Sequence, residues 1–144
     1  MLIKVKFQCK KIHIMEDLKK ILYKRIPYYS TLGLKLQEIG NGRATFEILI
    51  REELTQNGMV HGGVIASLID SSCACAAISL VYPNGYITTI DLQVEFLKPA
   101  TKGMLIAKAK CMKAGKTIFF CKAKVWDGEG KLISTGSSQL LRIS

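Results

Sequence analysis

The sequence predicts an α+β fold in which one curved antiparallel sheet wraps a single long helix. Three observations carry that expectation. One long apolar window, Val60 to Tyr82, contains His61 and Asp70 and is otherwise rich in Ala, Ser and Cys, as suits a core helix. Six strand-like runs are separated by Gly, Pro and Asn turn signals. The last four runs follow one another without a helix between them, which excludes a parallel doubly wound sheet. At 144 residues the chain fits one domain with a real core.

Residues 1–14 alternate apolar and basic side chains (Leu2, Lys4, Val5, Lys6) and read as an N-terminal extension or an extra strand. They lack the apolar core and cleavage site of a secretory signal. At Met15, itself a candidate start, a short helix opens with Glu16-Asp17, runs to Lys24-Arg25 in keeping with the helix dipole, and stops at Pro27. A mass measured on the endogenous N-terminus decides between Met1 and Met15. The single domain is therefore placed over residues 15–144.

Strands are expected over 32–39 and 44–50, joined by the turn Gly40-Asn41-Gly42. A polar loop, 51–58, leads to a helix from Gly62 to Val81 that Pro83-Asn84-Gly85 ends. Four strands follow, over 87–97, 104–113, 117–126 and 132–142. Small residues on the helix (Ala66, Ser67, Ser71, Ala74, Ala76, Ala77) allow strands to approach it closely.

Hydrophobic residues at 49% and charged residues at 22% place the chain among globular proteins. The window around the helix reads as buried core rather than a membrane span, because it holds a charged Asp70. The five cysteines form no CxxC pair and read as reduced thiols of a cytoplasmic protein. The two histidines, His13 and His61, belong to no ligand cluster, so neither a metal nor another cofactor is expected.

Net charge is +10, and between Glu95 and Asp127 there are eight lysines and no acid. That field suits a polyanion. Nucleic acid is a poor candidate, because neither a recognition helix nor an RNA-binding aromatic motif accompanies the charge. Lys108, Lys110, Lys122 and Lys124 alternate along two strands and share one exposed face with Ile106, Ile118, Phe120 and Trp126. An apolar patch rimmed by lysines also suits a contact between copies.

Two features carry chemistry. Asp70 lies mid-helix among Ile65, Leu68, Ile69 and Cys73, where an unpaired carboxylate is costly to bury. It is either functional, or paired across an interface, or turned to solvent. The run Gly58-Met59-Val60-His61-Gly62-Gly63 enters the helix with two glycines whose amides have no intrahelical acceptor. Such amides, with the helix dipole, suit the charge that develops on a carbonyl oxygen becoming tetrahedral. A plain flexible cap also explains two glycines. His61 and Asp70 are nine positions apart, so they face opposite sides of the helix, about 13 Å apart along its axis. If both are functional, two antiparallel copies must supply them, giving a dimer with two equivalent sites.

The stretch Asn57 to Asp70 (NGMVHGGVIASLID) resembles the signature of small hotdog-fold thioesterases of the phenylacetate-pathway type. The run Thr88 to Ala100 (TTIDLQVEFLKPA) is similar to that family's second block, and the likeness extends from about Met15 to the C-terminus. The resemblance implies a hotdog fold, dimers that pair into tetramers, and hydrolysis of acyl-CoA thioesters. It implies that Gly62 N–H binds the thioester oxygen with Gly63 assisting, that His61 orients the loop, and that the partner's Asp70 is general base or, less favoured, nucleophile. Thr89 falls where a hydroxyl helps place the water, with Thr88 as its alternative if the register shifts by one. Related enzymes carry Asn or Gln six positions before the histidine; here Thr55 stands there, with Gln56 and Asn57 beside it as substitutes. Lys113 and Lys116, flanking Ala114-Gly115, are the candidates for the CoA phosphates. The alternatives are a carrier-protein thioesterase, a hotdog dehydratase, and an acyl-CoA-binding module without catalysis.

Overall fold

The computed structural model describes residues 2–144, with side chains from His13 onward. Three helices are α1 (Leu2–Arg25), α2 (Pro27–Leu32) and α3 (Gly62–Val81). The strands are β1 (Lys35–Gly40), β2 (Arg43–Leu49), β3 (Thr55–Gln56), β4 (Met59–Val60), β5 (Tyr86–Phe96), β6 (Met104–Ala114), β7 (Ile118–Asp127) and β8 (Leu132–Ile143). Six of them form one antiparallel sheet in the order β1-β2-β6-β7-β8-β5, and α3 packs against every one of the six. This is the hotdog arrangement that the element order implies.

Period-two alternation decides which side of the sheet meets α3. Along β6, Leu105, Ala107 and Ala109 are buried while Lys108 and Lys110 are exposed; along β7, Phe119, Cys121, Ala123 and Val125 are buried while Lys122 and Lys124 are exposed. Against them α3 turns Leu68, Ile69, Cys73, Ala76 and Ala77, all 0% exposed. Alanines on both sides bring the layers close. The approach is tightest at Gly136 in β8, where an added Cβ would lie 2.7 Å from Ile69 Cγ2 and 2.7 Å from the carbonyl oxygen of Gln93. Helix α3 is long and apolar enough to cross a bilayer, but that apolar surface is mostly spent on the sheet. Of the six small helix residues expected to admit strands, Ser71, Ala76 and Ala77 are buried, while Ala66, Ser67 and Ala74 lie on a half-open side.

Three differences from the expectation have local causes. Residues 2–25 form one helix rather than an extra strand followed by a short helix, and there is no break at Met15. The segment contains neither Gly nor Pro and is rich in Lys, Leu and Ile, so nothing stops helix propagation before Pro27. Pro27 does end α1, but it also opens α2, because a proline is well placed in a helix's first turn; β1 therefore starts at Lys35 instead of at residue 32. Finally, the loop 51–58 contains a one-turn helix, Glu52–Leu54, and the two-residue strand β3, which pairs with β4 just beyond it. Their turn, Asn57-Gly58, has positive φ at both positions (52° and 75°), as does Asn41-Gly42 (52° and 72°).

Candidate active site at the start and middle of the central helix

Helix α3 begins where the chain leaves the β3–β4 hairpin. His61 N–H donates to Leu54 O (2.9 Å) and Val60 N–H to Ala100 O (2.8 Å), so both flanks of the entry are tied to neighbouring segments. His61 is the N-cap: its Nδ1 accepts from Gly63 N–H at 2.9 Å, which leaves the ring proton on Nε2. This changes the roles expected of the two glycines. Gly63 N–H is consumed by the cap, and Gly62 N–H is the amide left without an acceptor among the described residues. A histidine cap on the second glycine thus leaves the amide of the first as the open donor at the entry.

Gly62 has a neighbour that the sequence reading did not single out. The ring of Phe96, at the end of β5, lies over it so closely that a Cβ on Gly62 would sit 3.2 Å from Phe96 Cζ. Around them is a cavity of about 320 Å³ lined by Met59, Ile65, Phe96, Leu97, Pro99 and Ala100, with Lys98 at its edge. Phe96 is 58% and Leu97 51% exposed in the single chain. Only a clue was present in the sequence: two large apolar residues, Phe96-Leu97, run on to Pro99 at a strand end, where alternation would have called for one.

Asp70 lies two and a half turns beyond His61, half-buried where α3 passes the edge strand β5. Thr89 Oγ1 donates to Asp70 Oδ1 at 2.7 Å. The register that makes this possible is local: Thr89 pairs with Leu140, and the β5–β8 ladder then shifts between Thr89 and Asp91, with Ile90 bulged outward and 52% exposed. Thr88, the alternative, is exposed and points the other way. Along the same side of α3, Ser67 Oγ donates to Gly63 O (2.8 Å) and is bonded to the hydroxyl of Tyr28 from α2 (2.7 Å). Exposed Gly63 and half-open Ser67, Asp70 and Ala74 form a stripe beside β5, whose outer edge has no strand neighbour among the described residues.

The remaining expected site residues stand apart from this stripe. Thr55 Oγ1 donates to Glu52 O (2.6 Å), which closes the one-turn helix, while Gln56 and Asn57 are exposed at the hairpin tip. Among the described residues, no hydrogen bond links any of the three to Gly62 or Asp70. Lys113 and Lys116 are exposed around the β6–β7 turn. The row Ala114-Phe119-Leu140-Thr89 puts that turn at the Asp70 end of the sheet, three strand spacings or about 14 Å from β5.

The thiols on α3 are buried and held neutral. Burial, reinforced by the nearby Asp70 carboxylate, pushes the Cys73 thiol up to about 12. Burial pushes Cys75 up to about 12 as well. A thiol held neutral this firmly is a poor nucleophile.

Comparison with known proteins agrees with the fold. The thioesterase superfamily profile matches residues 57–134, from the β3–β4 turn into β8. A Saccharolobus solfataricus protein named "Putative esterase" is 32% identical over 135 residues, covering 89% of this chain and 96% of its own length. The 1,4-dihydroxy-2-naphthoyl-CoA hydrolase of Listeria monocytogenes is 23% identical over 104 residues, 72% of this chain and 85% of that protein. Among solved structures, the E. coli PaaI protein of the phenylacetic acid degradation operon aligns with a TM-score of 0.84 at 19% identity, over 92% of this chain and 95% of that one, a likeness of fold. From the profile match and the relative at 32% identity, this chain belongs to the thioesterase superfamily, a family of thioester hydrolases.

Proposed function

We propose that the protein hydrolyses acyl-CoA thioesters at sites shared between two copies of the chain. The observation that carries the reading is the helix entry: one amide, Gly62 N–H, is left open beside an apolar cavity while His61 occupies the next. The thioester oxygen lies against Gly62 N–H. Asp70 of the second copy takes a proton from water, whose oxygen attacks the carbonyl carbon; the developing negative charge is received by the amide and the helix dipole. The C–S bond then breaks and the thiolate of CoA leaves. Thr89 fixes the carboxylate by donating to Oδ1, so that Oδ2 is the oxygen presented to water.

Two subunits are required by distance, since Gly62 and Asp70 are eight residues apart on one helix, about 12 Å along its axis. The edge strand β5 supports the pairing. It is eleven residues long, unpaired on its outer side, and carries Ile90, Leu92 and Phe96 exposed, a form that monomeric proteins avoid. Antiparallel pairing of two β5 strands about a twofold axis brings the half-open stripes of both α3 helices together. The name of the Listeria relative, a hydrolase of an aryl-CoA, is in keeping with CoA thioesters as the substrate class.

A thiol-release assay on aryl and fatty acyl-CoAs, with Asp70→Asn beside the wild type, tests this directly. The expected loss is about a hundredfold in turnover. Equal turnover in the two proteins rejects Asp70 as the base; release from acyl carrier protein but from no acyl-CoA replaces the substrate. An active species that sedimentation shows to be monomeric removes the shared site.

A further inference from the structure

We propose that the outer face of the sheet, on the side away from α3, holds a binding site for a chain of phosphates on a small molecule. Strand register builds it. Arg43 pairs with Lys110, and Lys110 pairs in turn with Lys122; one row along, Lys108 pairs with Lys124. Five exposed cations therefore occupy three adjacent strands in a patch about 10 Å by 7 Å, from strand spacing and residue rise. Like charges directly opposite one another weaken a sheet. No salt bridge or side-chain hydrogen bond to an acceptor is formed by any of the five, among the described residues.

The patch is concave. The five cations line a depression of about 530 Å³, within the usual range of roughly 300–1,000 Å³ for small-molecule sites. Its one acid, Glu95, is engaged by the Thr135 hydroxyl. Ser137 continues the Lys110–Lys122 row on β8 and adds a neutral hydroxyl. Trp126 forms one wall and offers a flat surface to a base or ring. A triphosphate, with its charges a few ångström apart, spans the Lys110–Lys122 row, and lysine ammonium groups follow it as flexible point charges. The small compass of the site favours a compact polyanion over a nucleic-acid duplex, which needs a longer track of cations. The depression opens on the opposite side of the sheet from Gly62 and Asp70, so it is separate from the reacting thioester.

Trp126 is the chain's single tryptophan, which makes the site self-reporting. Tripolyphosphate, ATP and a 20-base-pair DNA duplex are titrated into the full-length protein while its fluorescence is followed. Saturable change at micromolar tripolyphosphate or ATP, weakening with salt, is the expected result. Preference for ATP identifies a nucleoside polyphosphate and equal affinity an inorganic one. The Lys110→Gln/Lys122→Gln pair should bind at least tenfold more weakly, melt no lower than the wild type because opposed charges are relieved, and hydrolyse thioesters at the wild-type rate. Lys108→Gln/Lys124→Gln repeats the test on the second row, and Lys102→Gln, on an exposed loop, should bind normally. Absence of a saturable signal, unchanged affinity in both double variants, or tighter binding of the duplex at equal phosphate concentration overturns the proposal. Hydrolysis and binding are read separately, so failure of one leaves the other intact.

Discussion

The two long sides of α3 are made from similar residues and treated very differently by the fold. On the sheet side, Leu68, Ile69, Ser72, Cys73, Ala76 and Ala77 are sealed, and the one hydroxyl, Ser72, satisfies itself on Leu68 O within the helix. On the other side, Gly63 is exposed and Ser67, Asp70 and Ala74 stay half-open, and the two polar side chains are tied to other elements: Ser67 to Tyr28 of α2, Asp70 to Thr89 of β5. One helix thus turns a sealed side to the sheet and leaves another side part-open. The sealed side is saturated with contacts, whereas the open side keeps one carboxylate oxygen available and the helix entry keeps the Gly62 amide.

That contrast breaks if substitutions on the two sides have the same effects. Leu68→Ala on the sealed side should cost about 2–5 kcal/mol in denaturant unfolding, because the packed sheet above it cannot collapse into the space; activity per folded molecule should hold. Asp70→Asn on the open side should do the reverse, with turnover down about a hundredfold, or ~2.7 kcal/mol of barrier, and a melting point within a few degrees of wild type. Gly62→Ala sharpens the comparison at the helix entry. Its Cβ meets the Phe96 ring, so hydrolysis should fall about tenfold, an order set by one misplaced donor, and Phe96→Leu in the same chain should restore part of it. Thr89→Val removes the donor that fixes Asp70 and should lower kcat several-fold with KM little changed.

The smallest effect lies on the sealed side. Cys73 and Cys75 have folded-state values of about 12 against 9.0 for a free thiol. Their neutral forms contribute stability that is complete below pH 9, where both states are protonated. Above pH 9 the unfolded chain loses these protons first, so stability falls as pH rises from 9 toward 12. A Cys73→Ala/Cys75→Ala chain should show a shallower alkaline decline in thermal melts, and an unaltered slope removes these thiols as its source.

Element order was largely readable in advance, for reasons visible at particular residues. Asn41-Gly42 marked a hairpin because only such residues accept two positive φ angles, and alternation around Lys108 and Lys122 assigned both faces of β6 and β7. The same turn chemistry at Asn57-Gly58 went unread, because strands of two residues have no alternation to reveal them. Of the two readings of residues 1–14, an extension or an extra strand, the strand gives way to helix α1 over residues 2–14, where alternating apolar and basic residues fit a strand as well as a helix and only the absence of a breaker favours the latter.

For the site, the sequence by itself determined that a glycine entry and a carboxylate lie on one helix at positions seven and eight residues apart, since helical geometry follows from local dihedrals alone. It also determined, through spacing, that the two halves cannot meet within one chain. Only the tertiary structure decided which amide stays open, because His61 turns back onto Gly63 rather than outward. It alone decided that Thr89 rather than Thr88 holds Asp70, through a ladder shift around Ile90, and that Phe96 covers Gly62 across more than thirty intervening residues. The later pairings depend on register between segments distant in sequence, and register is set by burying a whole face at once.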